Sequence, residues 1–237
     1  MLTRVLEPET LDHLAADDPA AQRARRDLRR VNAAMGARRI LERALARALP
    51  DGRRGLRLLE IGCGDGRLLL DVARHAGERW PGAHVDLLDR QPIVDAATLA
   101  AYAACGWRAR SVAADVLDWA RAADGERWDA VVANLFLHHF DGRALRDVLA
   151  GCARRADALV ACEPRRSRMA LAASHLIGFL GASAVTRHDG VVSVRAGFVD
   201  DELTSAWPAR GDGWQLAEYD DGAFTHCLCA VRRGATA

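Results

Sequence analysis

The sequence carries little charge of either sign to spare: 33 basic and 32 acidic residues leave a net +1. No large field therefore favours nucleic acid or a membrane surface. It also lacks any stretch of about 18 uncharged apolar residues that would span a bilayer. The opening residues, Met1 to Pro8, have no long apolar core of the signal-peptide kind. Six cysteines, at 63, 105, 152, 162, 227 and 229, show no paired C-x-x-C spacing. No metal site is expected from them, and they read as reduced thiols of a cytoplasmic protein. Cys227 and Cys229 lie two apart on an expected strand, share a face and read as core. The 237 residues suffice for one α/β domain with a full core and a small helical addition.

What the chain does have is Leu58-Leu59-Glu60-Ile61-Gly62-Cys63-Gly64-Asp65-Gly66, an apolar run ending in an acid and then three glycines at alternate positions. It reads as a buried strand turning through a tight loop into a helix, with glycine where positive φ or close approach of a ligand excludes a Cβ. A dinucleotide site wants G-x-G-x-x-G, but here the third glycine comes one place early and Arg67 stands at the dinucleotide position. Glu60 and Asp65 would also repel a pyrophosphate. A cationic nucleoside suits the loop better, and S-adenosylmethionine has a sulfonium, an ammonium, a ribose and no phosphate.

Glu60 to Gly66 resembles motif I of the class I S-adenosylmethionine-dependent methyltransferases. The resemblance covers about residues 55–233. It implies S-adenosyl-L-methionine as cofactor, held by Glu60, Gly62, Cys63, Gly64, Asp65 and Gly66 of the loop, Asp89 and Arg90, Asp115 and Val116, and Asn134 and Leu135. Asp89 ends an expected second strand 23 positions beyond Gly66, where an acid accepts hydrogen bonds from ribose hydroxyls. Asp115 follows a third strand (107–113), where the family contacts the adenine amino group; the carboxylate also suits a helix cap.

Taken in order, residues 8–49 read as an arginine-rich helical region started by Asp17-Asp18-Pro19. Arg23, Arg25, Arg26, Arg29 and Arg30 invite a phosphate-binding reading, but they wrap around the helix as a solvated face does. Residues 1–50 are expected to form a helical cap over the cofactor and acceptor mouth, and 51–237 the methyltransferase domain. Further strands are expected at 84–89, 128–134, 158–162, 214–218 and 224–231. The fold class is α/β: a doubly wound, mostly parallel, seven-stranded Rossmann-like sheet with an antiparallel last strand. The long segment 165–213 is taken as the substrate-recognition insertion. Its first part, 169–180, is apolar almost all round and is expected to be buried or to wall a greasy pocket. In 186–198, polar residues set among β-branched ones are read as strand-like.

Methyl transfer needs alignment and the management of one proton. Histidine suits the proton, so His138 and His139, after the fourth strand, are candidate catalytic residues with His188 as rival. On a strand Asp189 would face away from His188 unless Gly190 made a turn. Glu163 is placed to bind a polar group of the acceptor, or else to pair with Arg165 or Arg166; His175 reads as a core histidine. The expected activity is O-methylation of a small, mainly apolar acceptor of phenolic, polyketide-like or quinone-like chemistry, by a monomer or homodimer without nucleic-acid or membrane partner. The alternatives are a nucleic-acid methyltransferase, against which Asn134-Leu135-Phe136-Leu137 lacks the Asn/Asp-Pro-Pro-aromatic pattern, and a non-catalytic nucleoside-binding protein.

Overall fold

The computed structural model describes residues 2–122, 125–208 and 213–234. The chain opens with an extended segment and a short 3-10 turn at Leu11–His13, followed by helix α1, Pro19–Met35. Asp18 caps α1 by accepting from the Ala20 amide at 2.7 Å, with proline in the first turn. Gly36, at φ 71°, ends it and starts α2, Ala37–Ala48. The expected helical region is therefore two helices, divided at the one residue that adopts a left-handed conformation without penalty. Ile40, Leu41, Ala44, Leu45 and Ala48 put the apolar face of α2 into the main core; at about 25 cal/mol per Å² of apolar surface, that face anchors it firmly.

Seven strands and their crossovers follow: β1 Arg57–Ile61, α3 Arg67–Ala76, β2 His84–Asp89, α4 Ala96–Ala104, β3 Arg108–Ala113, α5 Val116–Arg121, β4 Ala130–Asn134, α6 Gly142–Arg155 and β5 Ala158–Pro164. The insertion forms α7 Arg168–Leu176, α8 Ala184–Ala196 and α9 Glu202–Ala206, and a hairpin of β6 Trp214–Asp221 and β7 Thr225–Arg232 closes the chain. The strand order is β3-β2-β1-β4-β5-β7-β6, with β7 antiparallel to both neighbours and the first five parallel. This is the expected doubly wound sheet with its antiparallel last strand. Leu58 and Val132 contribute to the core on one face, and Leu59, Ile61 and Val131 to that on the other, as strands buried on both sides require. The order reverses between β1 and β4, so the loops leaving their carboxyl ends open a crevice, the place where such sheets bind ligands.

Two expectations inside the insertion are corrected. Residues 186–198 are not strand-like: 184–196 form α8, capped by Ser183, whose hydroxyl meets the Thr186 amide. Val192 and Ala196 pack inward, and tertiary packing overrides the β-preference of the valines. His175 is exposed rather than in the core, since the buried side of α7 is the small one, Ala170 and Ser174. The last part of the expected insertion, 209–212, lies outside the described residues.

Candidate active site

The glycine loop is built by its own backbone and by its neighbours. Gly62, Gly64 and Gly66 have φ of 65°, 54° and 69°, values that side-chain-bearing residues adopt only under strain. The Gly64 amide donates to Asp89 Oδ2 at 2.9 Å, and the Gln91 amide to Asp89 Oδ1 at 2.9 Å. Tyr102 Oη donates to the Gly66 carbonyl at 2.9 Å and fixes the start of α3. A Cβ on Gly62 would lie 2.0 Å from the Phe136 ring, whereas one on Gly64 would meet nothing within 4 Å. The first glycine lets a neighbouring loop approach; the second leaves its place open to a ligand.

That place is a cavity of about 1490 Å³, above the usual 300–1,000 Å³ of a single-ligand pocket and roomy enough for a nucleoside and a second molecule. Every residue assigned above to the cofactor lines it except Gly66, which packs against Leu87 instead. Glu60 is buried, and its Oε2 has no hydrogen-bond partner. Burial first, then the charges of Asp65 and Asp89, push its carboxyl up to about 8. A partnerless buried acid beside two more acids suits a cationic ligand and repels phosphate. Burial and the same acids push the Cys63 thiol up as well, so it is no nucleophile. Asp115 caps α5, accepting from the Leu117 amide at 2.7 Å, and also lines the cavity.

Across the crevice, β4 delivers Leu135 at φ 50°, a conformation costing a non-glycine residue about 1–2 kcal/mol. Glu163 offsets that strain. Fully buried at the end of β5, it accepts from the amides of Phe136 (3.1 Å), Leu137 (2.9 Å) and His138 (3.3 Å), and from His138 Nδ1 at 2.8 Å. It is thus neither an acceptor-binding group nor the partner of Arg165 or Arg166, which pair with Asp220 and Glu202.

The structure brings His138 and His139 together with a residue the sequence did not single out. His138 Nε2 lies 3.2 Å from Glu9 Oε1, and His139 Nε2 lies 3.6 Å from Glu9 Oε2 and 3.6 Å from Asp12 Oδ2. Burial disfavours the charge on His139, but the close contact with Glu9 and the charges of Glu9 and Asp12 prevail and raise it to about 9. Glu9, despite its own burial, is held well below the carboxylate range by the two rings. A ring raised in this way favours its protonated form and is a poor base. His188 is exposed and does not line the cavity. On a helix its neighbour is within reach, and Nδ1 meets Asp189 Oδ1 at 3.1 Å. Asp189 also accepts from the amides of Thr10 and Leu11 at 2.8 and 2.9 Å, so the pair fastens the N-terminal turn.

The N-terminal segment is pinned over the histidine turn. Arg4 donates to the carbonyls of Ala196 (2.7 Å), Phe140 (2.8 Å) and His138 (3.3 Å). From α1, Arg29 reaches Asp65 Oδ2 at 2.8 Å and Arg25 reaches Gln91 Oε1 at 2.8 Å. Two of the arginines that invited a phosphate reading are spent on the glycine loop and its neighbour. Leu176, Ile177 and Phe179 form an apolar wall of the cavity on the far side, and Phe179 is 88% exposed.

Residues 59–158 match the family model described as a methyltransferase domain, and the strand order β3-β2-β1-β4-β5-β7-β6 around that segment agrees with the architecture the glycine loop implied. No curated protein matches it by sequence. Among solved structures, an O-methyltransferase family protein from Burkholderia thailandensis is similar at TM-score 0.60 and 20% identity, over 92% of this chain and 61% of that one. The plantazolicin methyltransferase BpumL, solved in complex with SAH, matches at TM-score 0.64 and 10% identity over 92% of each chain. The pyocyanin biosynthetic protein PhzM matches at TM-score 0.58 and 20% identity, over 91% of this chain and 59% of that one. This chain thus spans about three-fifths of the length of the Burkholderia protein and of PhzM. At these identities the likeness is one of fold.

Proposed function

We propose that the protein transfers a methyl group from S-adenosylmethionine to a small, mainly apolar acceptor, most simply the oxygen of a phenolic, polyketide-like or quinone-like compound. The observation that carries this reading is the partnerless Glu60 carboxylate in a cavity that runs on to the apolar wall of α7. Glu60 and Asp65 would face the cationic methionine part, Asp89 the ribose, Asp115 the adenine, with Arg90, Val116, Asn134 and Leu135 completing the wall. When bound, the cofactor supplies an electrophilic methyl group already activated by its sulfonium charge. The protein aligns the acceptor, an effect that supplies several kcal/mol in favourable cases, and excludes water.

His138 and His139 line the same cavity, with His138 oriented by Glu163, and would stand near the acceptor. Similar folds solved with SAH, or named as an O-methyltransferase family protein and a pyocyanin biosynthetic protein, support the same reading. Residues 2–35 would act as the cover, with α2 as its anchor in the core, and 165–213 would choose the acceptor. We take the protein to act in the cytoplasm, as a monomer or homodimer; the Cys227 thiol donates to Cys162 Sγ at 3.8 Å in the core.

Thermal unfolding with and without S-adenosylhomocysteine, with NAD as control, tests the cofactor. At 100 times its dissociation constant a ligand adds about 2.7 kcal/mol of stability, a rise of a few degrees. A shift with the homocysteine compound alone is expected; a shift with NAD alone sinks the reading. Phenols and quinones incubated with cofactor and followed by mass then test the acceptor class. A gain of one methyl on DNA or RNA and on none of these would replace it.

A further inference from the structure

We infer that Glu9, His138 and His139 form a binding site for a borderline first-row divalent metal ion of the zinc or cobalt kind, at the wall of the acceptor cavity. One donor atom from each lies within 4.8 Å of the other two. Glu9 meets the two rings through different oxygens, Oε1 at 3.2 Å from His138 Nε2 and Oε2 at 3.6 Å from His139 Nε2. These separations are close to the edge of about 3.3 Å between ligands around an ion with bonds of about 2.0–2.1 Å, so that a carboxylate spanning both could share one ion with them. Two imidazoles and one carboxylate are a common donor set for such ions, and leave positions open to a substrate.

The surroundings point the same way. Metal-binding histidines nearly always donate their second ring nitrogen to a carboxylate or a carbonyl, which fixes the tautomer. His138 Nδ1 is bound to Glu163 at 2.8 Å and His139 Nδ1 to the Phe136 carbonyl at 2.9 Å. Both Nε2 atoms are thereby turned to Glu9. The Ser193 hydroxyl donates to Glu9 Oε1 and orients the carboxylate, and Asp12 Oδ2, 3.6 Å from His139 Nε2, offers a further oxygen. An ion-pair latch for the N-terminal segment is the rival account of the cluster. It accounts for the approach of Glu9, but holds the buried His139 Nε2 only through ion pairs at 3.6 Å to Glu9 and Asp12, beyond hydrogen-bond length, where an ion would supply a direct bond. All four side chains line the cavity. On the methyl-transfer reading, on which this role rests, the ion would hold the acceptor's oxygen and favour its deprotonated form.

The test uses the full chain, stripped with a chelator and titrated with ZnCl2, CoCl2 and MgCl2 under reducing conditions. Calorimetry is expected to give one Zn2+ or Co2+ per chain and no comparable Mg2+ binding, with Co2+ showing visible absorption of a nitrogen and oxygen site. Glu9→Gln and His139→Gln keep the shape of the cluster and are expected to weaken binding about 100-fold or more, while circular dichroism reports that each is folded. His138→Ala is avoided as the primary variant because it strips Glu163 of a buried partner. No stoichiometric binding by folded protein, binding unchanged in both variants, or a Co2+ spectrum with thiolate bands overturns the proposal. S-Adenosylhomocysteine binding to the same stripped sample reads the methyl-transfer proposal separately. Protein that binds it and takes no metal overturns the metal site alone; protein that takes metal and not the nucleoside upholds the site and sinks the other.

Discussion

Glu163 and His138, 25 residues apart in the chain, are joined twice: the carboxylate accepts from the ring Nδ1 at 2.8 Å and from the backbone amide at 3.3 Å. One buried acid thus sets both the histidine's orientation and the path of the strained turn that carries it.

Glu163→Gln puts an amide NH2 where three backbone donors converge. The expected result is a loss of about 1–3 kcal/mol in stability, the cost of leaving buried groups unpaired, and a fall in turnover larger than any change in cofactor affinity. Urea unfolding with calorimetric binding of S-adenosylhomocysteine separates the two. Unaltered stability would show that the turn does not depend on this carboxylate.

Alanine at Gly62 and at Gly64 should fail in different ways. Gly62→Ala sets a methyl 2.0 Å from the Phe136 ring and is expected to lower the melting temperature sharply. Gly64→Ala meets no protein atom within 4 Å, so it costs only the roughly 1–2 kcal/mol of its backbone conformation while placing a methyl at the cavity wall. It should keep the fold and lose most affinity for S-adenosyl ligands. Equal melting temperatures for the two variants would count against the packing role of Gly62.

Glu60 gives the ligand-free protein a pH dependence of known sign. Its folded pKa is raised from 4.5 to about 8 by burial and then by Asp65 and Asp89. Its contribution is therefore fully present below about 4.5 and is lost as pH rises through about 8. Melting temperatures across that window should fall with pH in the wild type and less so in Glu60→Gln. A cationic ligand favours the ionised form, so binding of S-adenosylmethionine near pH 7 should release a proton. Calorimetry in buffers of different ionisation enthalpy detects it, and a buffer-independent heat would remove Glu60 from the binding account.

Phe179 is 88% exposed at the rim of the cavity, so Phe179→Ser should leave stability within about 0.5 kcal/mol of the wild type. If the apolar wall selects the acceptor, KM for apolar acceptors rises several-fold with kcat little changed. An unchanged KM would move acceptor recognition elsewhere.

The glycine loop, the alternation of strands and helices and the acid at Asp89 were legible in the sequence because each is a local pattern. Alternate glycines need no partner to announce a turn, and parallel strands buried on both faces are apolar throughout, as 130–133 are. Asp115 was legible for the same reason, since a cap bonds an amide two residues on. The valines of 191–194 misled because β-branched side chains record a local preference that packing of α8 against the sheet and α1 overrides.

What the chain order by itself determined is the class of the sheet and the acidic glycine loop that follows its first strand. Tertiary structure alone decided the rest of the site. Glu9 lies 129 residues before His138, and nothing around it in sequence separates it from a solvated surface acid. Glu163 reads in sequence as a group for a ligand, and becomes the anchor of a turn only when β4 and β5 lie side by side. Hydrogen bonds and charges act over a few ångströms of space and take no account of separation along the chain, so such partnerships leave no local trace.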